Sequence, residues 1–164
     1  MKGLNQKSCI AIVVLITLLA IAGCQSGSNA QPTETVVAEA EANCPVMDFV
    51  MEDGVDFEDP ELGPMSRGNL VSWRFDCPDP YIKGKWFGWQ DFYSPDGGDT
   101  WYWNGYAEGI TDEGGVWIGT ADNKPPTALG TWKGEGKYKG LQISTEWNMD
   151  TNLLKYRITK LIEE

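Results

Sequence analysis

The feature that most restricts how this chain can fold is a repeated two-residue alternation of bulky aromatic side chains with glycine. In an extended strand, successive side chains point to opposite faces. Trp101, Trp103, Gly105, Ala107 and Gly109 therefore share one face, while Tyr102, Asn104, Tyr106 and Glu108 share the other. Gly115, Trp117, Gly119 and Ala121 repeat the arrangement, and so do Gly130, Trp132, Gly134, Gly136 and Tyr138, backed by Thr131, Lys133, Glu135, Lys137 and Lys139. One face is built for water and the other for a core. Glycine weakens a strand unless another group must approach the backbone closely. The Trp/Gly face thus predicts a tightly curved sheet with rings laid over bare backbone, in a small antiparallel β-barrel, closed or nearly so. A two-sheet β-sandwich is the alternative.

Period-two alternation broken by Gly, Pro, Asn and Asp clusters predicts an all-β domain with strands at residues 70–76, 82–93, 100–110, 116–122, 130–139, 141–149 and 153–161. The clusters at 95–98, 112–115, 123–126 and 150–152 have turn composition, and Gly140 reads as a bend. The acidic stretch 52–64 holds Pro and Gly with few core residues and is expected to be a surface loop.

The N-terminal region has a different grammar. Lys2 and Lys7 precede a run at residues 10–22 that is apolar except for Thr17, which is the pattern of an export signal. A run of about 13 residues is too short for a membrane-spanning helix, which needs about 20. Leu19-Ala20-Ile21-Ala22-Gly23-Cys24 resembles a bacterial lipobox. That resemblance implies removal of residues 1–23 and lipidation of Cys24, with diacylglycerol on its sulfur and an acyl chain such as palmitate on the new amine. Two or more chains give stable anchoring. The expected location is extracytoplasmic, held at the cell membrane or outer membrane through Cys24. Residues 24–43, rich in Ser, Gly, Ala, Thr and Glu and free of aromatics, read as a flexible tether, with a transient helical turn at 38–42. The folded unit is expected at 44–164.

Charge and cysteines narrow the function classes. The chain carries −11 at neutral pH, and loses Lys2 and Lys7 with the signal. A field of that sign repels phosphate backbones and anionic headgroups, which argues against nucleic acid as a partner and against electrostatic membrane docking. Of the four cysteines, Cys9 leaves with the signal and Cys24 is lipidated, so Cys44 and Cys77 remain to pair as a disulfide in an oxidising compartment.

Three strings give the domain a resemblance to a known family: Asp79-Pro80-Tyr81-Ile82-Lys83-Gly84, Gly115-Val116-Trp117-Ile118-Gly119-Thr120, and the run from Gly130-Thr131-Trp132 through Lys139-Gly140-Leu141. On these, residues 77–164 resemble the small secreted bacterial barrels similar to allene oxide cyclase and, more distantly, plant dirigent proteins. The resemblance implies a small antiparallel barrel, allene oxide cyclase-like or calycin-like. No catalytic residue of the plant enzyme maps onto this sequence.

The chain contains no histidine, which removes the commonest general base, the commonest metal ligand and every Ser-His-acid triad. No cofactor or metal site is expected. A paired-carboxylate mechanism would draw on Asp91, Glu108, Glu135 or Glu146, of which Glu108 and Glu135 fall on the water face. Asp96-Gly97-Gly98-Asp99 has the composition of a calcium loop and equally of a hairpin turn, and the turn is the favoured reading. Of the eight tryptophans, Trp73, Trp86, Trp101 or Trp103, Trp117, Trp132 and Trp147 fall on inward faces. Trp89, with Phe87 and Tyr93, falls opposite Trp86, and these three form the candidate ligand-binding patch. The leading expectation is a non-catalytic module binding a small apolar or carbohydrate ligand. The alternatives are a cyclase or isomerase using a buried carboxylate, and a structural or assembly protein of the envelope.

Overall fold

A computed structural model of the chain describes residues 34–161. The expected export signal, the lipidated Cys24 and the first part of the tether lie outside the described residues. Within these, the chain is all-β: β1 (Glu34–Asn43), β2 (Val46–Glu52), β3 (Val55–Asp59), β4 (Gly63–Phe75), β5 (Gly84–Tyr93), β6 (Tyr102–Thr111), β7 (Gly115–Lys124), β8 (Thr127–Gly136), β9 (Leu141–Asn148) and β10 (Leu153–Leu161). They form one antiparallel sheet in the order β1-β10-β9-β8-β7-β6-β5-β4-β2, with β3 also pairing with β4. The hydrogen-bonded sheet is not closed. Its two edges, β1 and β2, are nevertheless consecutive in the chain and joined by Cys44 and Pro45. Cys44 N–H donates to Asn152 O at 2.7 Å, and Asp76 N–H donates to Pro45 O at 3.1 Å. The expected Cys44–Cys77 disulfide is present and ties this corner to the β4–β5 loop.

The expected strands correspond to β4–β10, while β1–β3 correct the sequence reading. Residues 34–43, expected to be tether with a helical turn, pair along β10 from Glu34 opposite Leu161 to Asn43 opposite Leu153. Most side chains of β1 are exposed, so the backbone ladder holds it more than burial does. The expected loop at 52–64 contains β3, folded as a hairpin onto the first half of β4. Asn69, fully buried, fastens that hairpin: its Oδ1 accepts from Gly54 N–H and its Nδ2 donates to Ser66 O and Gln90 O. Residues 137–139, expected to be strand, form a turn that folds Tyr138 beneath the sheet.

The register explains the curvature. One row across the sheet runs Trp73, Trp86, Gly109, Trp117, Gly134, so that each of two fully buried indoles is flanked by glycine. A Cβ on Gly109 would lie 2.6 Å from the Trp86 ring, and one on Gly115 would lie 1.9 Å from the Tyr138 ring. No side chain fits at either place. Rings from strands far apart in the sheet order meet inside the curl: Trp86 of β5 and Trp132 of β8 stand 5.0 Å apart edge to face, and Phe75 of β4 and Trp147 of β9 stand 5.6 Å apart. Aromatic pairs at such distances add to the burial of their surfaces.

Candidate functional site

Antiparallel pairing gives the curled sheet two ends with different fillings. One end carries the β4–β5 loop, residues 76–83, which folds inward. Ile82 is 1% exposed there, and the loop's carbonyls accept from the side chains above them. Trp86 Nε1–H donates to Ile82 O at 3.2 Å, Trp117 Nε1–H to Tyr81 O at 2.8 Å, and the Tyr138 hydroxyl to Pro80 O at 3.3 Å. The Tyr156 hydroxyl donates to the Asp79 carboxylate, and Asp79 also accepts from Tyr81 N–H. Burial and the neighbouring Asp79 charge push the Tyr156 phenol above its ordinary range. Trp117 stacks on Tyr138 at 4.7 Å. Ile82, Trp117, Tyr138 and Tyr156 are all buried at this end.

The other end is hollow for a reason that lies in the register. A row of inward-facing residues runs Gln90, Gly105, Ala121, Gly130, Thr145 from β5 to β9, and none is large. Beyond this row stand Phe92 beside Trp103 and Ala128 beside Trp147. Between them lies a cavity of about 230 Å³, walled by Trp73, Phe75, Trp86, Trp103, Trp132 and Trp147, with Gln90 and Thr145 as its polar side chains. Phe49, Leu129 and Met149 also line it, and Phe49 and Leu129 are 57% and 52% exposed. An aromatic cavity with a few polar groups and an apolar rim is the usual form of a small-molecule site. Among the described residues, no Asp, Glu, Lys or Arg lines it.

The polar groups in the cavity are incompletely used. Trp132 Nε1–H donates to Thr145 Oγ1 at 3.2 Å. Trp147 Nε1, by contrast, is fully buried and has no hydrogen-bond partner among the described residues. Gln90 is only 7% exposed, and its backbone carbonyl accepts from Asn69 Nδ2. A Cβ on Gly105 would lie 2.9 Å from Gln90 Cγ, so the Gln90 side chain lies over that glycine.

The expected patch, Phe87, Trp89 and Tyr93, is on the outer face of β5, and none of the three lines the cavity. Trp89 is exposed and pairs across the strands with Leu70 and Tyr106; Phe87 and Tyr93 are half-buried, Tyr93 stacking on Tyr102 at 5.5 Å. Trp101 precedes β6 and is exposed, leaving Trp103 as the inward residue. The candidate carboxylates do not converge on the cavity. Asp91 pairs with Arg67 at 3.2 Å and accepts from Gly68 N–H; Glu135 and Glu146 are exposed, and Glu108 is half-buried facing outward. In the β5–β6 loop, Asp96 accepts from the Ser94 hydroxyl at 2.7 Å and Thr100 N–H at 2.8 Å, and these bonds lower its carboxyl to about 2. That carboxylate is organising a turn. The sequence placed Trp147 and Trp132 inward but did not single out Gln90, whose signal was a lone amide on the inward face of a Trp/Gly strand.

No family model matches the chain, and neither does any curated protein or solved structure.

Proposed function

We propose that this protein is a membrane-anchored extracytoplasmic binding module whose curled sheet acts as a small barrel, holding an apolar ligand at its open end. The observation that carries the reading is the aromatic cavity of about 230 Å³ with two polar side chains and no ionisable one. Such a lining favours binding over acid–base catalysis. It also favours an apolar ligand over a sugar, whose several hydroxyls would each lose water without gaining a partner. Anchoring through Cys24 and the barrel form implied by the likeness to allene oxide cyclase-like proteins belong to the same reading.

The test is calorimetric titration of the purified, disulfide-intact protein with indane, a neutral bicyclic hydrocarbon. Saturable one-to-one binding that raises the melting temperature is expected. Ala121→Leu, which fills the row of small residues, is expected to abolish it while leaving near-ultraviolet circular dichroism unchanged. Absence of binding, or binding unaltered by Ala121→Leu, overturns the reading.

A second reading rests on the outer face, where Trp89 is 57% and Tyr106 43% exposed on paired positions. With Phe87 and Tyr93 at its margins, this patch offers a stacking platform for a sugar ring. Glycan binding that is lost in Trp89→Ala and kept in Ala121→Leu would support it.

A further inference from the structure

Four of the indoles packed in the interior are not equivalent. Trp86, Trp117 and Trp132 each donate their N–H to an acceptor that the chain supplies, a backbone carbonyl twice and Thr145 Oγ1 once. Trp147 alone among these has a buried N–H with no partner, and it lines the cavity. A buried donor left unmade costs about 1–3 kcal/mol, so an indole in this position calls for an acceptor from outside the chain. Gln90 adds a second polar group, a nine-tenths buried amide residue on the cavity wall.

The size and charge of the missing partner follow. An apolar cavity of about 150 Å³ holds benzene; at about 230 Å³ this one has room for a bicyclic ring of roughly nine or ten heavy atoms. Among the described residues no cation lines the cavity, so a carboxylate there would be an unpaired buried charge, and the chain's net charge of −11 repels it on approach. An indole N–H is a donor only, so what it lacks is an acceptor.

We propose that the occupant of this cavity is a small neutral ring compound carrying one acceptor oxygen, as in a ketone, cyclic ether or lactone, which receives the Trp147 Nε1–H and has the Gln90 amide as its second polar contact. This rests on the cavity being a binding site, and the experiment separates the two claims. The purified protein is titrated with 1-indanone and with indane, which share a ring frame and differ by one carbonyl. Leaving water costs the ketone its hydration, so in a cavity without a donor it binds more weakly than indane. The expected result is the opposite order, 1-indanone tighter by about fivefold, the worth of one net hydrogen bond. The order is expected to reverse in Trp147→Phe, which keeps a ring and removes the donor, and the preference is expected to shrink in Gln90→Leu.

Indane binding as well as or better than the ketone in the unaltered protein overturns the inference and leaves the cavity as a site for hydrocarbons. A ketone preference that survives in Trp147→Phe also overturns it, because the acceptor is then read elsewhere. Binding of neither probe removes the cavity reading and the inference together. Should Trp147→Phe fail to fold, the Trp147 indole N–H resonance of the unaltered protein takes its place: a downfield shift with 1-indanone and none with indane is expected, and no shift with 1-indanone overturns the inference.

Discussion

The packed and hollow ends of this sheet both carry inward-facing aromatics, Trp117 and Tyr138 at one and Trp103, Trp132 and Trp147 at the other, and they differ in the small residues that the register aligns and in what the connecting loops contribute. At the packed end, the β4–β5 loop turns in, delivers Ile82, and offers backbone oxygens to Trp86, Trp117 and Tyr138. At the hollow end, the β5–β6 loop satisfies itself, Ser94 bonding to Asp96 and to Thr100 O. In the β9–β10 turn Asn148 Oδ1 accepts from Asp150 and Thr151 N–H, and the Thr151 and Asn152 carbonyls accept from Asn43 and Cys44, not from an interior side chain. A loop whose polar groups are paired locally has none to lend to the interior. Inward-facing aromatics therefore become core where a loop turns in with partners, and wall a cavity where the register aligns small residues and no loop fills the space.

The sharpest way to break this comparison is truncation at both ends. Trp117→Ala, at a position with no exposure, is expected to destabilise by about 3–5 kcal/mol through loss of a fully packed indole. Trp103→Ala, which only widens an existing void, is expected to cost less than half as much. Urea unfolding of the two variants measures the difference, and equal losses would contradict a hollow end. Next in size is the clasp: replacing Cys44 and Cys77 by serine is expected to cost about 3 kcal/mol, read in the same unfolding assay, because their loop spans 33 residues.

Titration sharpens the contrast further. Tyr156 keeps its proton more tightly in the folded state than unfolded, so its contribution is fully present below about pH 10 and is lost as pH rises beyond that. The packed end is expected to fail first in alkali. Thermal melts across pH 9–12 check this, and Tyr156→Phe should flatten the dependence. Smallest is the opposite case in the β5–β6 loop. Asp96 has a depressed pKa, so its contribution is present above about pH 4 and lost as pH falls through about 2. Asp96→Asn should blunt the loss of stability below pH 4, measured by the same melts.

How much of this was legible in the sequence depends on burial. β5 to β10 announce themselves because one face of each is core and the other water, which writes period two into the residues. β1 to β3 carry no such signature: their residues are mostly exposed on both faces. Register shifts at Val36/Ala38 in β1 and Met47/Val50 in β2 break what alternation they have. Ile82 and Tyr138 look like strand residues and instead sit in connections that turn under the sheet, because apolar side chains in a plug obey the same composition as those in a strand. The Cys44–Cys77 pairing was legible because Cys9 and Cys24 fall in the expected export signal and lipobox, which leaves two cysteines to pair. The cavity was not readable. Its small residues, Gly105, Ala121 and Gly130, belong to three strands, and only the register brings them into one row. The orphaned Trp147 N–H is equally a property of packing, since nothing in residues 141–148 says which indole will find an acceptor.

The measurement that bears most directly on the account is a resolved indole N–H nuclear magnetic resonance spectrum of the protein, recorded with and without 1-indanone. The account expects shifts confined to the indoles of the hollow end, largest and downfield at Trp147, with Trp117 in the packed end and Trp89 on the outer face unmoved. An unchanged Trp147 signal, or shifts centred on Trp89 or shared by Trp117, would contradict it.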